Sequence, residues 1–163
     1  MKVNFELQGM DGVLKTLQSL PKEIVSKRGG PVKLALAKGA RLIRDEAKKN
    51  LRARMVSGDQ ATGLLIKNVI ASRGKAPTGG KGERYLVRVK RKTYPGRRYR
   101  RRDGVVTTRK TAMWKEYGTD DQAATPWLRP AVHAKGQTAI NVITQDLKRR
   151  IDIEVKKLST RNR

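Results

Sequence analysis

The stretch Pro31-Val32-Lys33-Leu34-Ala35-Leu36-Ala37-Lys38-Gly39-Ala40-Arg41-Leu42-Ile43-Arg44-Asp45-Glu46-Ala47-Lys48-Lys49-Asn50-Leu51-Arg52-Ala53 decides how this chain is built. Val32, Ala35, Leu36, Gly39, Ala40, Ile43, Ala47 and Leu51 recur three and four apart, so they form one apolar stripe on a helix over about 31–53. Pro31 suits the first helical position, and Gly29-Gly30 before it marks a joint. Half of the stripe is Ala or Gly. Small residues allow backbones to approach closely, so this helix is expected to lie flat on a sheet or a second helix. Asp45 and Glu46 are neighbours on a helix and do not face each other; they read as solvated, or as partners of Lys49 and Arg41.

Outward from that helix, the pattern changes. Val3, Phe5 and Leu7 alternate with Lys2, Asn4 and Glu6, a short opening strand closed by Gly9. Asp11 caps a helix carrying Val13, Leu14, Leu17 and Leu20, ended by Pro21. Leu65 to Arg73 reads as a helical turn followed by a strand. Tyr85, Val87 and Val89 alternate as a strand, Tyr94-Pro95-Gly96 turns it, and Val105 to Thr108 returns, making a basic hairpin arm over about 84–108. Ile140, Ile143, Leu147, Ile151, Val155 and Leu158 give a final amphipathic helix from Pro130 to about Leu158, with a frayed tail over about 159–163. The expected class is therefore α+β in a single domain over 1–163. A small antiparallel or mixed sheet is packed by the Ala-rich helix and the C-terminal helix, with the basic hairpin protruding.

Charge bounds the function. The formal net charge is +25, far above the magnitude of about 2 to 8 usual for small soluble domains. Such a surplus repels itself and favours an acidic or polyanionic partner. It is concentrated: Arg84 to Arg102 holds ten basic residues and no acid. The candidate contacts to an acidic partner or to DNA are Arg88, Lys90, Arg91, Lys92, Arg97, Arg98, Arg100, Arg101 and Arg102. A tip of this charge cannot enter a core and is expected to be exposed.

Catalytic chemistry finds little to work with. There is no cysteine and one histidine, His133, with no ligand-spaced partner, so no metal or cofactor is expected. Gly74 to Gly82 looks like a phosphate loop, but Gly80 separates Gly79 from Lys81 and Gly82 follows where a hydroxyl is needed. Ser57, Ser72 and Ser159 lack a nucleophile elbow, and Asp120-Asp121 read as turn residues. The expectation is a protein that is not an enzyme. No signal-peptide pattern opens the chain and no run nears about 18 apolar residues, so a soluble protein is expected.

Two segments are more informative: Ala112-Met113-Trp114-Lys115-Glu116-Tyr117-Gly118-Thr119 and Ala124-Thr125-Pro126-Trp127-Leu128-Arg129-Pro130-Ala131. Pro126 and Pro130 fix two backbone dihedrals and hold Trp127 and Leu128 in a rigid corner. Two roles are open to it. The corner presents an interface, carried by Trp114, Glu116, Tyr117, Gly118, Thr119, Pro126, Trp127, Leu128, Arg129 and Pro130; or Trp127 and Leu128 plug the core while Glu116 pairs with Arg129.

These motifs resemble the tail-completion, or head-tail joining, proteins of long-tailed bacteriophages and prophages. The likeness covers most of the chain: Phe5-Glu6-Leu7-Gln8-Gly9 before a Leu-rich helix; the helix holding Ala40, Ile43, Ala47 and Lys48; Thr62-Gly63-Leu64; and Glu116-Tyr117-Gly118-Thr119 followed by Ala124, Pro126, Leu128, Arg129, Pro130 and Ala131. Trp127 stands where the family more often has Phe, and the Arg97 to Arg102 run is not a family feature. The resemblance implies a structural virion protein of the neck, a ring subunit that completes the tail and joins it to the head connector. Its implied partners are itself in a ring, six-fold by analogy with tail tubes, the tail tube or tail terminator protein, and the head connector or stopper protein. DNA in the channel is a further candidate partner, and no membrane is involved. The implied location is the virion, after assembly in host cytoplasm. The basic arm docks either on acidic protein or on DNA, and docking on protein is favoured because a tight grip would slow DNA ejection. The competing reading is a sequence-nonspecific nucleic-acid-binding protein of ribosomal-protein type.

Overall fold

The computed structural model describes residues 30–54, 63–75, 83–98 and 105–161. The expected opening strand, the expected helix carrying Val13, Leu14, Leu17 and Leu20, most of the 74–82 loop, and Arg100, Arg101 and Arg102 lie outside the described residues.

The first described helix, α1, spans Pro31–Ala53 with Pro31 in its first turn, the bounds the stripe predicts. Gly63 then leads into α2, Leu64–Asn68, which passes directly into strand β1, Val69–Arg73. That is the expected helical turn followed by a strand. Strand β2, Tyr85–Val89, pairs antiparallel with β1, matching Val69 to Val89 and Arg73 to Tyr85. Asp45 pairs with Arg44 rather than Arg41, while Glu46 faces Lys49.

Beyond β2 the structure corrects the expected arm. Tyr94-Pro95-Gly96 is not a turn: it lies within strand β3, Thr93–Arg98, which pairs with β4, Val105–Thr107. Tyr94 is buried, and the chain stays extended to place it there; the register shift between Thr93 and Arg98 accommodates a proline that cannot serve a regular ladder. The basic hairpin therefore begins at β3. Arg88 belongs to β2, in the other sheet, with Lys90 just beyond it.

What redirects the chain after β2 is a buried hydroxyl. Thr108 Oγ1 donates to Lys90 O at 2.7 Å and accepts from Lys92 N at 2.9 Å, while Thr108 N donates to Lys92 O. Thr107 caps a helix, α3, over Thr108–Tyr117, an element that hydrophobic periodicity does not mark.

The final helix, α4, spans Leu128–Arg161, starting two residues before Pro130 and running through most of the expected tail. Ser159 Oγ and Thr160 Oγ1 both donate to Lys156 O, supporting that last turn. Helices α1 and α4 run antiparallel. Ala35 packs with Leu147 and Ile151 near one end, and Asn50 Nδ2 donates to Trp127 O at the other. Midway, a Cβ on Gly39 would lie 2.5 Å from Ile143, so the helices approach tightly at this position.

The larger core gathers Ala47, Leu51, Leu65, Val69, Ala112, Trp127 and Ala131. Near the other end Asp146, also buried, accepts from Lys38 Nζ at 3.1 Å and Arg150 Nε at 2.5 Å. The Arg150 hydrogen bond outweighs the opposing effect of burial and, with Lys38, holds the Asp146 carboxyl below its usual range.

Candidate functional site

The corner between α3 and α4 is built around one carboxylate. Glu116, in the last turn of α3, is 5% exposed. Its Oε2 accepts from Trp127 N at 2.8 Å and Leu128 N at 2.9 Å; its Oε1 accepts from Arg129 N at 3.1 Å and Arg129 Nε at 2.9 Å. Three amides at the start of α4 that have no partner within the helix are thereby satisfied. Pro130 follows, where a missing N–H costs nothing. This is why α4 starts at Leu128: a side chain from another helix caps it.

Burial alone would raise the Glu116 pKa. The hydrogen bonds from Leu128, Trp127 and Arg129 outweigh it and hold the carboxyl below the usual range. The group is thus a fixed anion at the positive end of a helix. Trp127 is locked by the same device, since its ring is buried in the core and its Nε1 donates to Ala112 O at 3.2 Å.

Gly118 lets the chain leave α3. Its φ of +81° lies in the region that favours glycine, and an added Cβ would fall 2.9 Å from Gln122 O and 3.0 Å from Ala124 N, both backbone. The loop is then tied back by Thr125 N donating to Lys115 O at 2.7 Å. Gly118→Ala is expected to lower stability by about 2 kcal/mol or more, from strain and collision together. Urea unfolding followed by tryptophan fluorescence would measure it.

The structure divides the predicted corner set. Trp127 and Glu116 are inside, and Leu128 packs against the core, so these hold the corner rather than present it. The ion pair expected between Glu116 and Arg129 is present. Trp114, Gly118, Pro126 and Pro130 are half-buried, and Thr119 is exposed in a short bridge to Gln122. What faces outward is Tyr117, 69% exposed, and Met113, 61% exposed, one helical turn apart on α3. Arg129, anchored through Nη2 to Glu116 O, lays its guanidinium 5.2 Å from the Tyr117 ring centroid. Met113 was not among the predicted site residues, although its spacing of four from Tyr117 is the signal that would have found it.

Of the cationic set, Arg88, Lys90, Arg91 and Lys92 are exposed, Arg97 and Arg98 end β3, and the rest lie outside the described residues. The structure adds Arg109 and Lys110, in the first turn of α3. The ten-residue α3 thus carries the cations at one end and the corner at the other. Among the described residues, no group of three or more His, Asp or Glu is placed to hold a metal ion, and no helix is long and apolar enough to cross a membrane. Exposed His133 lies on α4. Comparison of the chain with protein-family models, with curated proteins and with solved structures found no match.

Proposed function

We propose that the chain is a structural subunit of a bacteriophage neck, assembling head to tail into a ring that completes the tail and joins it to the head connector. The observation that carries this reading is the corner: a buried carboxylate and a buried tryptophan hold Tyr117, Met113 and Arg129 in one exposed, preorganised patch. Tyrosine, methionine and arginine are the residue types enriched where proteins meet. Rigidity at such a patch reduces the entropy lost on association.

A head-to-tail ring needs two unlike surfaces on each subunit. A second is available between α1, α4 and β2, where Leu36, Ile43, Leu86, Val132 and Ile140 line an apolar cleft of about 370 Å3. In this role the chain transforms no substrate, and it works in the virion after assembly in the host cytoplasm. The ring is expected to be six-fold, by analogy with tail tubes, with the tail tube or terminator on one side and the connector or stopper on the other.

The test is genetic and physical together. In the producing phage, loss of the gene should leave filled heads beside separate tails; intact virions would refute the assignment. The double substitution Met113→Glu, Tyr117→Glu should prevent joining while costing the isolated subunit no more than about 2 kcal/mol, from the lost contact with Arg129 and a negative charge at the end of α3. Electron micrographs of lysates read the first effect and urea denaturation the second.

A further inference from the structure

A second surface, at the other end of α3, has no part in the corner. Arg88, Lys90, Arg91, Lys92, Arg109 and Lys110 are all exposed, and they come from two separate stretches of sequence. Thr108 brings those stretches together, because its hydroxyl and its amide bind the backbone on both sides of Arg91. Arg109 adds a clamp, its Nε donating to Val89 O at 3.1 Å. The positions of the cations are therefore fixed by backbone and buried hydroxyl, not by one another.

Nothing in the fold asks for this charge. From Arg84 to Lys115 the sequence holds thirteen Lys and Arg and a single acid, Asp103. Cations in the first turn of a helix oppose its dipole and cost stability, yet Arg109 and Lys110 sit there, and no acid occupies that turn. Among the described residues, the acids that form ion pairs are engaged elsewhere: Asp45, Glu46, Glu83, Glu116, Asp146 and Glu154 pair with cations outside this cluster.

We infer that this cluster binds the phosphodiester backbone of DNA, without reading its sequence. Composition decides between the two polyanionic partners. Protein interfaces enrich arginine but are depleted in lysine and built around apolar or aromatic centres; half of this cluster is lysine, and it has no such centre, which the corner patch has. Surfaces that meet nucleic acid are polar and strongly positive. Arg88 in β2 and Lys90 one residue past its end are two residues apart, at most about 6.8 Å along extended chain, and Arg109 and Lys110 at the start of α3 add two more exposed cations. Contacts of this kind are weak, with non-specific Kd of roughly 10⁻⁴ to 10⁻⁶ M at physiological salt. They neutralise a passing strand and still let it move, which removes the objection that a basic surface would hold DNA back.

The inference does not depend on the ring assignment, and its test uses the isolated full chain. Anisotropy of a labelled duplex of about 30 base pairs would be followed across about 50 to 200 mM salt, the range over which counterion release is readily measured. In the variant Lys90→Gln, Arg91→Gln, Lys92→Gln, Lys110→Gln, the slope of log K against log salt should shrink by about 3.6, at roughly 0.9 per lost phosphate contact. Affinity at about 100 mM salt should fall about tenfold or more. The backbone bonds to Thr108 remain in that variant, and its unfolding midpoint reports that the fold is kept. A control removes equal charge elsewhere, through Arg41→Gln, Lys148→Gln, Arg149→Gln, Lys156→Gln, and should retain most of the slope. Equal losses in both variants would mean that binding follows net charge alone, and no loss in the first would mean that the cluster does not touch DNA. Displacement of the duplex by poly-glutamate at equal charge concentration would assign the surface to acidic protein. Each of those three results overturns the inference.

Discussion

Replacing Glu116 by alanine is expected to destabilise the folded chain by about 3 kcal/mol or more, because hydrogen bonds to a charged group are worth about 1.5 to 3 kcal/mol each and the buried Trp127 amide is left without its acceptor. The substitution strips four hydrogen bonds at once, three of them to amides at the start of α4. Arg129 also loses its carboxylate partner and is then held over Tyr117 only by the bond from its Nη2 to Glu116 O, which the variant keeps. Glu116→Gln should cost less, since one oxygen still accepts from the amides while the new NH2 opposes the remaining donors. Guanidinium unfolding monitored by tryptophan fluorescence measures both, and a loss below about 1 kcal/mol for the alanine variant, the size of one ordinary hydrogen bond, would show that the corner is held by other means.

The same carboxylate sets a pH dependence. Its folded pKa is lowered, with the backbone amides of Leu128, Trp127 and Arg129 outweighing the cost of burial. The stabilisation is therefore fully present above the pKa of the unfolded chain and is lost as pH falls through the folded value. Wild type should lose stability as it is acidified below the ordinary glutamate range, and Glu116→Gln should lose less over the same interval. Asp146, whose pKa is also lowered, contributes in the same direction and remains in the variant.

Trp127→Ala is expected to have an effect of similar size, about 3 to 5 kcal/mol, as for other large-to-small changes in a packed core. Trp127 sits among Ala47, Leu51, Leu65, Val69 and Ala131, which are too small or too well anchored to close over the space left behind. Trp127→Phe fills most of that volume and leaves only Ala112 O without its indole donor, so about 1 to 2 kcal/mol is expected. Thermal unfolding by circular dichroism separates the two variants. Equal losses would mean that the indole hydrogen bond, and not the volume, stabilises the corner.

How far these features were legible depends on what each element buries. Helix α1 announces itself because its buried side is wholly apolar and Pro31 fixes its start. Helix α3 buries Thr108, Ala112 and Glu116, so no stripe of large apolar residues exists to be found. Its signals are the Thr107 cap and Gly118 after its last turn. Alternation located β2 but could not name its partner, and the Tyr94-Pro95-Gly96 turn chemistry yielded to the burial of Tyr94. At the corner the core role holds for Trp127 and Glu116, which point in, while Tyr117, from the interface set, and Met113, which was not in it, point out. The inward part of that division is set by hydrogen bonds across a gap of eleven to thirteen residues, which no linear pattern reports, whereas the outward pair is legible in its spacing of four.

The tight crossing at Gly39 has a mechanical meaning. With Ile143 seated there, Lys38 tied to Asp146 and Asn50 tied to Trp127 O, the paired helices cannot slide without breaking contacts at three separate residues of α1. They behave as a braced strut about 35 Å long, the length of α1 at 1.5 Å per residue. A load applied at one end would reach the other as displacement of a whole body, with little absorbed by bending between.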